Sequence, residues 1–327
     1  MTALVFALAL AVAADKADKE LREQVDAART KAIKYLKANQ GRDGDWEAFP
    51  VNVIGGQKGG PTALAALALL EAGVPATDPV VAKAVDYLAA LKPERTYVVG
   101  LQTQVLARAD PKKYAKEIQA NVDWLLEKAI YKGDTLTGWS YPMNAIADNS
   151  NTHFAVMGLH AAARAGAKVD PDIWKKIRAF YADTQNNNGG WPYASVGDLP
   201  TSHSMSVVGL LGLAVAAKYD KQAQGPGPAF DKGMRALLDG KLGTFGDGKS
   251  GFYSWMATAE LGRELGSREF KSGKLTKAWY REGAAQIVKG QQEDGALKYT
   301  GDRLMIDSKL PLITTAFGLY VLGPPEK

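Results

Sequence analysis

Cysteine is absent from this chain of 327 residues. Disulfides, thiolate nucleophiles, cysteine-bearing zinc sites and iron–sulfur clusters are therefore excluded. Histidine is scarce: His153, His160 and His203 are the three copies, so imidazole chemistry has few addresses. Charge of one sign is barely in excess, with 40 Lys+Arg against 35 Asp+Glu and a net charge of +5. No dense basic run occurs, and no nucleic-acid partner is assigned. What is present is ordinary for a globular chain, 46% hydrophobic and 23% charged residues, enough for a large core.

The amino terminus, Met1 to Ala14, reads MTALVFALALAVAA. It is apolar, too short to span a bilayer comfortably, and ends in Ala11-Val12-Ala13 before Asp15 and a charged run. The small-x-small pattern predicts a secretory signal over residues 1–14 and an exported mature chain, periplasmic or extracellular. Residues 15–327 are then expected to form one domain, touching a membrane only through an uncleaved leader.

The strongest signal is internal repetition. An amphipathic helix, a Gly/Asp loop carrying an aromatic, and a small-residue apolar helix recur. One copy runs Ala32-Ile33-Lys34-Tyr35-Leu36, Gln40, Asp43-Gly44-Asp45-Trp46, then Pro61 to Gly73; another runs Ile177 to Tyr181, Gln185, Gly189-Gly190-Trp191, then Ser202 to Ala217. The corresponding loop positions are 46, 139, 191, 245 and 297, spaced by 93, 52, 54 and 52 residues. The doubled first gap holds a shortened copy, Val80 to Leu91 and Tyr97 to Ala107. Six such pairs make about twelve helices, one member of each wet on one face and the other apolar all round. The pattern predicts an all-α fold of two concentric layers, closed into a ring so that no open end needs capping, with an open arc as the alternative.

Gln40-to-Trp46 and Gln185-to-Trp191 resemble the QW motif of squalene cyclases, also found loosely in protein prenyltransferase β subunits. Trp279 to Ala284, Gln292-x-Asp294-Gly295 and Thr314-Thr315-Ala316-Phe317-Gly318-Leu319 resemble the closing repeat of bacterial members of that superfamily. The resemblance covers roughly residues 25 to 323 and implies a closed α/α toroid of six helical hairpins. Gln40 and Gln185 are expected to bond loop or helix-end backbone. Trp46, Trp139 and Trp191 are expected to plug the gaps between repeats.

In such a ring the inner-helix N-termini converge on one mouth, where a ligand would sit. Protonation-type cyclases carry Asp-x-Asp-Asp-Thr there; this chain reads Asp148-Asn149-Ser150-Asn151-Thr152. The first acid and the Thr match, but Ser150 stands where a strong acid is needed, and a hydroxyl cannot protonate an alkene. Ser150 or Asn151 is expected to cap the helix. The prenyltransferase zinc set and the complement-type thioester both need the missing cysteine. His153 and His160 lie two turns apart, ~10 Å, too far for one metal; His153 and His203 are comparable points on neighbouring inner helices. No metal and no cofactor is assigned.

Candidate cavity residues are Ser150, Asn151, His153, His203, Tyr253, Trp255 and Thr315, with Asp148 the surviving candidate catalytic acid. The leading functional reading is an exported toroid without catalysis, its hollow emptied of a proton source. It would bind a small apolar or peptide-like ligand there, or a protein partner at its rim. The alternatives are a cyclase-type isomerase acting through Asp148, and a carbohydrate-active hydrolase or lyase. The hydrolase would draw on carboxylates such as Asp45, Glu47, Asp198, Asp247 and Asp294. The lyase would use His203, Tyr253 and Asn151. A buried acid or a His–Tyr pair in the hollow would favour the enzymes.

Overall fold

The computed structural model describes residues 2–47, 58–141, 144, 146–194, 199–243, 251–298 and 311–324. Among the described residues six helices form the outer layer: α1 (Thr2–Ala38), α3 (Pro79–Ala90), α5 (Ala115–Glu127), α7 (Asp172–Asp183), α9 (Pro228–Leu238) and α11 (Trp279–Gly290). Six form the inner layer: α2 (Gly60–Glu71), α4 (Thr96–Ala109), α6 (Asn149–Arg164), α8 (His203–Tyr219), α10 (Gly251–Glu264) and α12 (Pro311–Leu322). Layer follows composition. Outer α3 buries Val81, Ala84, Val85 and Leu88, the i, i+3, i+4, i+7 stripe of a half-wet helix. Inner α2 buries every residue from Gly60 to Leu70, because it has neighbours on all sides.

The inner helices pack in chain order, α2 on α4, α4 on α6, and so on to α12, which returns to α2. The protein is therefore a closed α/α toroid. Small residues set the spacing: a Cβ on Gly158 of α6 would lie 2.8 Å from the Gly100 Cα of α4, so only glycine permits that crossing. The seam is held from α1. Arg29, 5% exposed, donates from Nε to the Gly323 carbonyl at 2.7 Å. α1 runs unbroken through Asp15, so residues 2–14 continue into the first repeat as one helix. Among the described residues no helix is long and apolar enough to cross a membrane.

The loops that carry the glutamine use it in the same way. Gln40 Nε2 donates to the carbonyls of Gly44 at 3.0 Å and Val80 at 2.7 Å. Gln185 donates to Gly189 at 2.9 Å and Ala229 at 2.7 Å. Each thus ties its own loop to the first turn of the next outer helix. In the last repeat this clip is Gln291, which donates to Gly295 at 3.2 Å and to Ala28 of α1 at 2.8 Å. Gln292, the glutamine of the quoted closing motif, instead donates from Nε2 to the Gly290 carbonyl at 3.4 Å. The controlling distance is four residues from glutamine to the turn glycine, and Gln292 is one too close. The indoles of Trp46, Trp139 and Trp191 are buried and donate to the carbonyls of Leu36, Leu125 and Tyr181 at 2.7–2.8 Å, each in the outer helix of its own copy. Phe245, the loop residue of the fifth copy, lies outside the described residues.

Strand structure, absent from the sequence reading, is present in three two-stranded ribbons: β1 (Ile130–Lys132) with β2 (Thr135–Gly138), β3 (Trp191–Pro192) with β4 (Thr201–Ser202), and β5 (Phe270–Ser272) with β6 (Leu275–Lys277). Each strand has two to four residues, too few for alternation to register in the sequence.

Candidate functional site

Asp148 is the N-cap of α6. Its Oδ1 accepts from the Asn151 N–H at 2.8 Å and from the Ser150 hydroxyl, and its Oδ2 accepts from Asn151 Nδ2 at 2.8 Å. The expected cap was Ser150 or Asn151; the structure reverses the roles, and those two are donors to Asp148. A short acceptor at the first non-helical position answers the free N–H groups of the first turn. With three donors converging on it, this carboxylate is committed as an acceptor.

The interior below Asp148 holds a different acid. His153, in the second turn of α6, meets the Tyr253 hydroxyl with Nδ1 at 2.9 Å and the Glu260 carboxylate with Nε2 at 2.6 Å. Tyr253 and Glu260 both belong to α10, which is separated from α6 in the ring by α8. The Tyr253–His153–Glu260 chain therefore crosses the hollow. The side chains of His153 and Glu260 are each 1% exposed. Burial, and then the charge of Glu260, push the Tyr253 phenol well above its usual value, so it keeps its proton. The arrangement that satisfies these atoms has Tyr253 donating to Nδ1 and His153 donating from Nε2 to Glu260. An interior without an acid was expected; Glu260 is one. It was visible as a lone charge in the otherwise uncharged run Met256 to Gly262, but its partner, 107 residues away, was not.

Above this chain, aromatic rings pack across the hollow. Tyr97 of α4 meets Phe154 of α6 at 5.1 Å, Phe154 meets Tyr253 at 5.9 Å, and Tyr253 meets Phe317 of α12 at 6.4 Å between ring centroids. Large apolar side chains also stand exposed on the two loops that enter α6 and α8: Tyr141, Ile146, Tyr193 and Leu199 are 38–49% exposed. Ser150 shares a hydrogen bond with the Tyr193 hydroxyl at 3.2 Å. Burial, against that bond, pushes the Tyr193 phenol up to about 12. The mouth thus has an aromatic floor, an apolar rim and a polar strap beneath.

The remaining candidates separate. His203 Nδ1 pairs with the Ser254 hydroxyl at 3.1 Å, so His153 and His203 bond successive residues of α10. His160 sits two turns lower, bonded to the Tyr219 hydroxyl at 2.8 Å. Among the described residues no cluster of three or more His, Asp or Glu is placed to hold a metal ion. Trp255 points outward, its ring where a Cβ on Gly283 of α11 would fall, at 2.8 Å. The Thr315 hydroxyl accepts from the Leu297 N–H at 2.9 Å, as Thr152 does for Trp139 and Ser206 for Trp191; it is a loop fastener. Glu47 accepts from the Thr62 hydroxyl and the Gly59 N–H, both at 2.8 Å, while Asp198 and Asp247 lie outside the described residues.

No family model and no curated protein matches the sequence. Solved structures do match in fold. The chain is similar to a variant of the type II terpene cyclase MstE from Scytonema in complex with geranylgeranyl dihydroxybenzoate, at TM-score 0.61 and 13% identity over 93% of this chain and 97% of that one. It is equally similar to an inactive variant of the α-1,6-mannanase GH76A of Salegentibacter sp. in complex with α-1,6-mannotriose, at TM-score 0.61 and 10% identity over 92% of this chain and 99% of that one. Both likenesses are to the architecture, which hosts unrelated chemistries; what the chain shares with them is the closed α/α toroid.

Proposed function

We propose that the toroid is a binding protein whose inner-helix N-terminal mouth takes a small apolar or peptide-like ligand. The observation that carries this is the aromatic floor crossing the hollow beneath an exposed apolar rim. Tyr97, Phe154, Tyr253 and Phe317 come from four of the six inner helices, so a ligand there touches residues on opposite sides of the ring. Apolar walls with a few placed polar groups are the usual make-up of a ligand pocket. Asp148, holding three hydrogen bonds as an acceptor, fits a structural cap better than a proton donor. The signal-like leader supports an exported protein that meets its ligand outside the cytoplasm.

A second reading, an acid–base enzyme, is favoured by the two features named above as signs of one, the buried acid Glu260 and the His153–Tyr253 pair, joined in the Tyr253–His153–Glu260 chain. That chain can hand a proton between a phenol and an imidazole oriented by a carboxylate, which suits acid–base chemistry on a sugar.

Titration of tryptophan and tyrosine fluorescence with farnesol, and separately with α-1,6-mannotriose, distinguishes the two. The binding reading expects saturable change with farnesol, weakened by Phe154→Ala, and silence with mannotriose. Saturation by mannotriose alone, lost in Tyr253→Phe, would overturn it in favour of the enzyme.

A further inference from the structure

The opposite mouth, where the inner helices end, holds a cavity of about 330 Å³ walled by the C-terminal halves of α2, α4, α6, α10 and α12. Glu260 reaches this cavity from its deep side. Its Oε2 is spent on His153; its Oε1, equally buried, has no hydrogen-bond partner among the described residues. One turn further along α10, Arg263 gives Nη2 to the Tyr320 carbonyl and lays its guanidinium over the Tyr320 ring at 4.4 Å. Its Nη1 is also buried and without a partner there. Arg164 stands exposed at the lip.

The other charges of this mouth are matched internally. Arg108 pairs with Glu71 at 3.5 Å, and Glu264 with Lys218 at 2.7 Å and His160 at 3.4 Å. Glu264 Oε1, though buried, has Lys218 Nζ at 2.7 Å, so among the described residues of this mouth one carboxylate oxygen, on Glu260, and one buried guanidinium nitrogen, on Arg263, remain without a partner, three residues apart on one helix face. A buried polar atom without a partner is costly, so this pair favours a ligand that supplies a donor to one and an acceptor to the other. Beside them lie the buried side chains of Leu67 and Met157.

We infer that this cavity binds a small zwitterion of the aliphatic α-amino-acid class. The ammonium meets Glu260 Oε1, the carboxylate meets Arg263 and Arg164, and the side chain lies on Leu67 and Met157. The volume is at the low end of the ~300–1,000 Å³ range of ligand pockets, which fits a monomer and not a polymer. The site lies on the far side of the His153–Glu260 bridge from the aromatic mouth and stands whatever occupies that mouth.

Isothermal titration with L-leucine tests it, beside two half-molecules: 4-methylpentanoate, which lacks the ammonium, and 3-methylbutylamine, which lacks the carboxylate. The expected result is one-to-one binding of leucine, with each half-molecule weaker by about tenfold or more. Glu260→Gln, checked for folding by circular dichroism, is expected to weaken leucine by a similar factor. Because Glu260→Gln also disturbs the His153 bridge, Arg164→Ala at the exposed lip is the second variant, expected to weaken leucine severalfold without altering the fold. No heat from leucine at millimolar concentrations, half-molecules that bind as well as leucine, or unchanged affinity in Arg164→Ala would each overturn the inference.

Discussion

At the scale of single residues, the interior is decided by which acids have partners. Glu264 shows the sign of the effect. Burial opposes its ionisation, but hydrogen bonds from His160 and Lys218 outweigh burial and hold the carboxyl at about 2, against an ordinary 4.5. A folded-state value below the unfolded one means stability that is full above the unfolded value and is lost as pH falls toward the folded one. Urea unfolding followed between pH 5 and pH 2 is therefore expected to show a loss of stability that Glu264→Gln makes shallower. A slope unchanged by that substitution would contradict the pairing. Asp148 gives a second check. As a helix cap, its replacement by alanine is expected to cost about 0.5–2 kcal/mol, and by asparagine about 1 kcal/mol, since asparagine keeps an acceptor for the Asn151 N–H but turns an amide donor toward Asn151 Nδ2. A proton-donating Asp148 would instead show its effect in turnover, with both variants equally inactive. Asp148 was legible because it stands where the resembling Asp-x-Asp-Asp-Thr motif has its first acid, just ahead of an inner helix. The Glu260–His153 pair was not, because their helices are neighbours neither in the chain nor in the ring, and no local spacing encodes a contact across a hollow.

At the scale of elements, composition is enough to sort the helices. A charge-free stretch such as Ala63 to Leu70 has to be covered all round, and a stretch such as Ala115–Glu127, with Ile118, Asn121, Val122 and Leu125 inward, has to keep one face wet. The loops were half legible. Glutamine, turn glycine and tryptophan recur in order, yet which glutamine acts in the last repeat depends on four-residue geometry. That geometry makes a prediction. Gln291→Leu leaves the carbonyls of Ala28 and Gly295 without their donor and is expected to cost about 1–3 kcal/mol in denaturant unfolding. Gln292→Leu, next to it, is expected to stay within about 0.5 kcal/mol of the parent. Equal effects would mean that the clip is not what joins the last loop to α1. The short ribbons were illegible for a simpler reason: they are turn geometry rather than hydrophobic pattern.

At the scale of the whole molecule, closure converts a repeat array into two mouths with different chemistry. The inner helices all run the same way, so one mouth gathers their N-termini and the other their C-termini. Aromatic side chains from α4, α6, α10 and α12 floor the first. Charged last-turn residues such as Arg108, Arg164 and Arg263 line the second, where cations answer the negative ends of the helix dipoles. The bridge from His153 to Glu260 divides the hollow between them. The ring itself was legible from periodicity, because six pairs that each need two neighbours are fully satisfied only when the last meets the first. The division was not, since it rests on two side chains. The central claim, an aromatic mouth that retains an apolar or peptide-like ligand, is met most directly by native mass spectrometry of the protein purified from its natural source. The account predicts one such small molecule per chain, lost in Phe154→Ala. An oligosaccharide in its place, or a bound apolar molecule that persists in Phe154→Ala, would contradict it.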